Sequence, residues 1–314
     1  MKTSLLARRS LSYVLVGAAV IAGATFPVKG ADKKIVLLAG RPSHPAGMHE
    51  FRAGSMLLQK ALTGFPGVKV EVYTMGWPSK MVDGKPVDDN APLETADAIL
   101  IYADGGRGNP AIQGDRMKLI DTLAAKGVGL GFGHYGVEVP AGPPGDAMHR
   151  WIGGYYETNW SVNPMWKPAF DKFPNHPITR GVKPFATHDE WYFNMRWTPD
   201  AATMKRITNI LVATPSDEVR KGPYVSPRGP YDHIIAASGK AETMMWAYER
   251  PDGGRSFGFT GGHTHTNWGD PNQRKVMLNA LLWMAKVEVP AGGVVDKITA
   301  EDLTANLDDK PTKK

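Results

Sequence analysis

Cysteine is absent from the 314-residue chain. No disulfide can staple the fold, no thiolate can hold a metal, and no cysteine can serve as a nucleophile. The fold must therefore stand on its own core, which a chain of this length can bury in one domain. Runs of basic residues are also missing, and the net charge of +6 misleads. Residues 1–30 hold Lys2, Arg8, Arg9 and Lys29 and no acid, so without them 33 basic side chains face 31 acidic ones, a net of +2. Such a balance offers no surface for nucleic acid. Long apolar runs are limited to residues 11–26, and no internal repeat is visible.

That apolar run follows a basic start, Met1-Lys-Thr-Ser-Leu-Leu-Ala-Arg-Arg9, and precedes Val28-Lys-Gly30. This is the three-part layout of a secretory signal. Its sixteen residues approach the length of a membrane span, but Ser12, Gly17, Gly23 and Thr25 make it a poor anchor. Residues 1–30 are therefore expected to be a cleaved signal peptide, with the mature protein exported to the periplasm or beyond. No stable membrane insertion is expected after cleavage.

What is present has a clear rhythm. Residues 33–40, 98–103 and 127–134 read as short apolar strands and 68–73 as an alternating one, with helical spacing over 49–62 and 112–125. Further strands are expected at 210–213, 243–248 and 256–261, and a closing helix at 271–286. Strands alternating with helices imply an α/β fold with a parallel sheet and crossover helices. The stretch 140–230 breaks the rhythm. It is rich in Pro, Gly and aromatics, and reads as a large insertion laid over one edge of the sheet. The domain is expected to span 31–290. The remainder, 291–314, polar and balanced in charge from 297 onward, is expected to be a mobile tail.

Ligands of open α/β sheets bind beyond the carboxyl ends of the strands. After the first strand come His44 and His49; after the third, Asp104-Gly-Gly-Arg107; after the fourth, His134-Tyr-Gly-Val-Glu138; after the last, His263-Thr-His265. Five of the nine histidines thus fall at four strand ends. His49 by itself reads more simply as a first-turn helix residue. If the last strand runs on through His265, His263 and His265 share a face. His188-Asp-Glu190-Trp-Tyr192 is a second polar knot. A carboxylate such as Glu190 among aromatics has its pKa raised by desolvation, which suits acid–base work; pairing to Arg196 is the plainer alternative.

Taken together, several motifs carry a resemblance: His44-Pro, the glycine-led His134, His188-Asp-Glu-Trp-Tyr, Trp246-Ala-Tyr-Glu-Arg-Pro-Asp-Gly-Gly-Arg255 and Gly261-Gly-His-Thr-His-Thr-Asn-Trp. The chain resembles the ThuA-like (trehalose-utilisation) family from about residue 33 to 289. The resemblance implies a flavodoxin-like α/β fold of the class I glutamine amidotransferase type. It also implies a role in carbohydrate catabolism, particularly of disaccharides and glycosides oxidised at carbon 3. In that superfamily a nucleophilic cysteine follows a central strand and a His-x-Glu pair follows a late one. Here His134 occupies the cysteine turn and His263-Thr-His265 the other place, so amidotransferase chemistry is excluded for want of a thiol.

Three imidazoles with a carboxylate or water suit zinc or a similar divalent ion. The expected metal ligands are His44, His134, His263 and His265, with Glu190 and His265 as the groups that move protons. Trp160, Trp191, Tyr192, Trp268, Asp104 and Arg107 are expected to hold a small-molecule carbohydrate. The reading is an exported sugar isomerase, lyase or hydrolase assisted by the metal. Two alternatives stand beside it. A non-catalytic sugar-binding protein would use the same aromatics without a convergent histidine cluster. A metal-independent hydrolase would pair Glu190 with Asp270 or Glu138 at roughly 5–10 Å.

Overall fold

In Lys33–Ala39 (β1) every residue from Ile35 onward is buried. Alternation sorts these side chains into two cores, Ile35, Leu37 and Ala39 into one and Val36 and Leu38 into the other. A strand buried on both faces is what a parallel sheet covered by helices on each side demands. The computed structural model describes residues 31–310, so the expected signal peptide lies outside the described residues. The other strands of the main sheet are β2 (Val68–Tyr73), β3 (Ala98–Tyr102), β4 (Gly129–Gly133), β5 (Ile207–Ala213), β6 (Glu242–Glu249) and β7 (Arg255–Phe259). Their order is β5-β6-β7-β4-β3-β1-β2. All contacts from β7 through β2 are parallel, whereas β6 runs antiparallel to β5 and β7. The expected α/β architecture is present, with one strand reversed.

Two helices cover each face. Phe51–Ala61 (α1) and Pro271–Met284 (α4) pack into the first core through Phe51, Leu57, Leu58, Val276, Leu278 and Leu281. Arg116–Ala125 (α2) and Pro143–Ile152 (α3) pack into the second through Ile120, Leu123, Met148 and Trp151. Helix α3 was hidden in the stretch expected to be an insertion. Its two prolines occupy the first helical turn, where no N–H bond is lost, and Gly153 closes it in the left-handed conformation. Prolines and glycines that look like loop composition are here start and stop signals. The stretch also contributes β5 to the main sheet and holds two short strand pairs, Met165–Trp166 with Asp189–Glu190 and Gly154–Tyr155 with Arg196–Trp197.

Residues 291–310 of the tail, expected to be mobile, instead pack back on α1 and α4. Arg274 pairs with Asp296, Lys60 with Asp302 and Arg52 with Asp308. The buried Lys310 ammonium donates to the carbonyls of Met48 at 2.7 Å and His49 at 3.0 Å, and pairs with Glu50. A composition balanced in charge thus finds its partners across the fold and not in water. Among the described residues no helix is long and apolar enough to cross a membrane.

Strands β6 and β7 show how tight the packing is. The buried Trp246 ring lies where a Cβ on Gly258 would stand, across the register pair Trp246–Gly258. Gly258→Ala should therefore lower unfolding free energy by about 1–3 kcal/mol, the usual range for an overpacked core. Urea denaturation followed by tryptophan fluorescence measures it; an unchanged midpoint would show that the indole relaxes freely.

Candidate metal centre and adjoining cavity

The carboxyl ends of β7, β4, β3 and β1 lie side by side, because those strands are neighbours and parallel. The chain leaves each of these ends abruptly. After Gly133 it turns with His134 at φ 48° and enters a short 3₁₀ turn. After β1 it passes through His44 at φ 63° and His49 at φ 48° before α1 begins. Positive φ is uncommon outside glycine and costs about 1 kcal/mol or more per residue. Three such histidines meet at one edge of the sheet.

The turn after β7 is held from several sides. Gly261 presses against the Trp191 ring, leaving no space for a Cβ, and Gly262 has φ 100°. The Tyr102 hydroxyl donates to the Gly262 carbonyl. The buried Asp189 carboxylate accepts the backbone N–H groups of Gly262 at 2.7 Å, Thr264 at 2.9 Å and Glu190 at 3.1 Å. Backbone bonds then tie this turn to the loop before α1, His49 N–H to His263 carbonyl and His265 N–H to Gly47 carbonyl, both at 2.9 Å.

These constraints bring four buried side chains to one point: His49, His134, His263 and Glu190. His49 Nε2 stands 2.9 Å from His263 Nδ1 and 3.0 Å from His134 Nε2, which is 3.3 Å from His263 Nδ1. Glu190 Oε2 lies 2.7 Å from His263 Nδ1 and 3.7 Å from His134 Nε2. The outer ring nitrogens decide the tautomers. His134 Nδ1 faces the Thr260 carbonyl at 3.0 Å, and His49 Nδ1 faces Asp104 Oδ1 at 3.0 Å. Both partners are acceptors, so both Nδ1 atoms carry hydrogen and both Nε2 atoms present bare lone pairs. Burial first, and neighbouring imidazoles second, push the pKa of His49 and of His134 well below the ordinary histidine value, so neither ring takes a second proton.

Two lone pairs aimed at each other across 3.0 Å repel, and a cation between them would relieve that repulsion. The fit to a tetrahedral ion can be tested on the edges. Bonds of about 2.0–2.1 Å place tetrahedral donors about 3.3 Å apart. Five of the six edges run from 2.7 to 3.7 Å, and all four donor atoms lie within 4.8 Å of one another. The donor set fits a small divalent ion.

The residues named from sequence separate into distinct places. His134, His263 and Glu190 meet; His44 stacks on His49 at 3.6 Å between ring centroids, outside the donor set. His265 turns away, its Nε2 3.0 Å from the Leu303 carbonyl. The expected shared face does not exist, because β7 ends at Phe259 and a turn separates the strand from both histidines. His49, which sequence assigned to a helix, is the third imidazole. Its only visible signal was its place after a strand end.

The tryptophans expected to stack on sugar are taken. Trp191 is 0% and Trp268 1% exposed, and Trp160 is sandwiched between the Arg196 guanidinium and the His233 ring. Arg107 is exposed in the turn after β3, beside a separate cavity, and Asp104 serves His49 and Ser43. Tyr192 does line the site, its hydroxyl 3.2 Å from His134 Nε2. Above the donors opens a cavity of about 310 Å³, walled by His44, Tyr135, Glu138, Thr158, Asn163 and Ser226 among others. Asn163 donates to Glu190 Oε1 at 2.7 Å and accepts the Ser226 N–H at 3.2 Å, joining the cavity wall to the donor set. Burial raises the pKa of Glu190, while its contact with His263 opposes that rise.

The ThuA profile, described as trehalose utilisation, matches residues 78–284. The chain belongs to the ThuA family. Among solved structures, a ThuA-like protein from Bacteroides uniformis superposes with a TM-score of 0.55 at 16% identity, covering 83% of this chain and 95% of that one. A glutamine amidotransferase from Thermotoga maritima aligns with a TM-score of 0.40 at 9% identity over 81% of this chain and 98% of that one, a likeness too loose to argue from. No functionally curated protein matches the chain. For this ThuA-family chain, the shared fold places the strand ends, and its own residues define the site.

Asp189 is the buried anchor of the His263 turn, so Asp189→Ala should strand three backbone N–H groups. At about 1–3 kcal/mol for each unsatisfied group, a loss of roughly 3 kcal/mol or more is expected. Chemical denaturation reads it; a loss below about 1 kcal/mol would mean that water replaces the carboxylate without strain.

Proposed function

We propose that this ThuA-family protein is a metal-dependent enzyme of carbohydrate catabolism, acting on a glycoside or disaccharide that carries a carbonyl at carbon 3. The observation behind this reading is the convergence of three imidazoles and a carboxylate on the floor of a hydroxyl- and amide-lined cavity. His49, His134, His263 and Glu190 would hold the ion. When bound, it supplies a Lewis acid that polarises a sugar carbonyl and makes the adjacent C–H more acidic.

The remaining chemistry belongs to the side chains. Asp104 and the Thr260 carbonyl hold the His49 and His134 rings in the tautomer that offers Nε2, the orienting role that outer partners play at metal sites. Glu190 accepts from Asn163 with one oxygen and turns the other to the donor cluster, 2.7 Å from His263 Nδ1, which suits a ligand better than a mobile base. Thr158, Ser226 and Tyr135, all in the cavity lining, carry hydroxyls, groups that match the hydroxyls of a sugar ring. His265, bonded to the tail, takes no part.

Metal analysis of the purified protein tests the reading. His49→Ala and His134→Ala should each weaken metal binding by about 100-fold or more, since each removes a ligand. His265→Ala should keep full metal content, which separates this donor set from one that includes the doublet. Full stoichiometry in His134→Ala would sink the assignment. Export is part of the same proposal, and intact-mass measurement on secreted material should find the mature chain beginning near Asp32.

A further inference from the structure

Glu138 lies outside the donor set, yet it lines the same cavity. It sits just beyond the 3₁₀ turn that starts at His134, and its backbone is pinned. Its carbonyl accepts the Gly106 N–H at 3.0 Å and the Asn109 amide at 3.2 Å, and its N–H donates to the Tyr135 carbonyl at 3.0 Å. The side chain accepts one hydrogen bond, from the Thr158 hydroxyl to Oε1 at 2.9 Å. The charged group it faces is Glu190, of like sign. The phenols of Tyr135, Tyr156 and Tyr192 are its other titratable neighbours, and each is pushed up partly by its charge. The Tyr156 hydroxyl is buried without a partner among the described residues.

The donor residues cannot move a proton freely. The Nδ1 hydrogens of His49 and His134 are committed outward, and Glu190 accepts from Asn163 with one oxygen and turns the other to the donor cluster. Glu138, a carboxyl in the cavity wall anchored on one oxygen only, has the freedom to do so. We propose that Glu138 is the acid–base residue that exchanges a proton with the sugar bound in this cavity. This rests on reading the site as a sugar-transforming centre. Acting as acid, the carboxyl O–H bond breaks, its electron pair stays on Glu138 as carboxylate, and a new O–H bond forms on the sugar oxygen that gains negative charge. The carboxylate recovers a proton from the sugar's acidified C–H or from water, so no oxidant or further reactant enters. Burial, reinforced by Glu190, brings the Glu138 carboxyl up to about 7 against the opposing Thr158 bond. Near that value a group gives and regains protons with equal ease at neutral pH.

The test uses Glu138→Gln and Thr158→Val in the full mature protein, with 3-keto-trehalose as probe. Glu138→Gln keeps size and hydrogen bonding but cannot exchange a proton. It should retain wild-type metal content and a KM within about threefold while kcat falls by about 100-fold or more. The sign of the pH effect follows from the acid role: activity falls as pH rises through about 7, where the carboxyl ionises. That limb should vanish in Glu138→Gln and move to higher pH in Thr158→Val, which loses a bond favouring the ionised form. Infrared difference spectra supply a readout without turnover, a protonated-carboxyl band that titrates with the same limb and disappears in Glu138→Gln. Turnover within about threefold of wild type in Glu138→Gln would overturn the proposal, as would loss of metal in that variant or an unmoved limb in both. A metal-free wild type would sink the metal reading alone, because the infrared band and the ratio between variants do not depend on it.

Discussion

Three imidazole nitrogens held 2.9–3.3 Å apart are the constraint around which this structure is organised. Such an arrangement is unfavourable in an empty pocket. Two of the nitrogens have their ring protons committed outward to acceptors, and burial denies both rings a second proton. Rings in that position drift apart unless their backbones are fixed. The surrounding structure does the fixing: two of the three histidines stand at positive φ, and the third lies in a turn that a buried carboxylate grips by its N–H groups.

The insertion acquires its purpose from this. Its short strand Asp189–Glu190 supplies both the anchor and the fourth donor, on adjacent residues whose side chains point opposite ways. The aromatics around it serve packing. Trp191 seats Gly261 and buries its face against Phe170 and Phe259. Large rings are a means of burying much apolar surface in a segment with little regular structure. The docked tail works on the other side, where Lys310 holds the carbonyls of Met48 and His49 and so braces the strained backbone of a donor residue. Stability and function are thus coupled, since groups that settle the donors also close the fold.

The cavity adds what the donors lack. In the proposed reading an ion would polarise the substrate without shuttling protons, and the ring hydrogens of His49 and His134 are committed outward. The cavity wall carries polar groups of another kind, among them Glu138, whose carboxylate accepts a single hydrogen bond, from Thr158. Division of labour between fixed donors and a titrating wall residue is a recurring solution wherever charge must be stabilised and a proton moved in one site.

Composition, periodicity and strand ends were enough to determine a great deal. Seven strands were legible, most of them as short apolar runs bounded by polar or glycine residues, which a covered parallel sheet buries on both faces, and Val68–Tyr73 by its alternation. The position of the site was legible too, since ligands gather where the strands end and the histidines are concentrated there. Other features were decided by the tertiary structure. Whether His265 or His49 joins His134 depends on where β7 stops and on the backbone bonds between two loops over two hundred residues apart in the chain, which local periodicity does not encode. The tryptophans looked like sugar platforms because sequence records an aromatic ring but not which of its faces are already covered. The tail looked free because its charges balance locally, while their partners lie on α1 and α4. Sequence by itself determines the layers and the edge where chemistry can occur. Only three-dimensional packing decides which lone pairs meet, because that rests on ångström-scale distances between segments that have no neighbourhood in the chain.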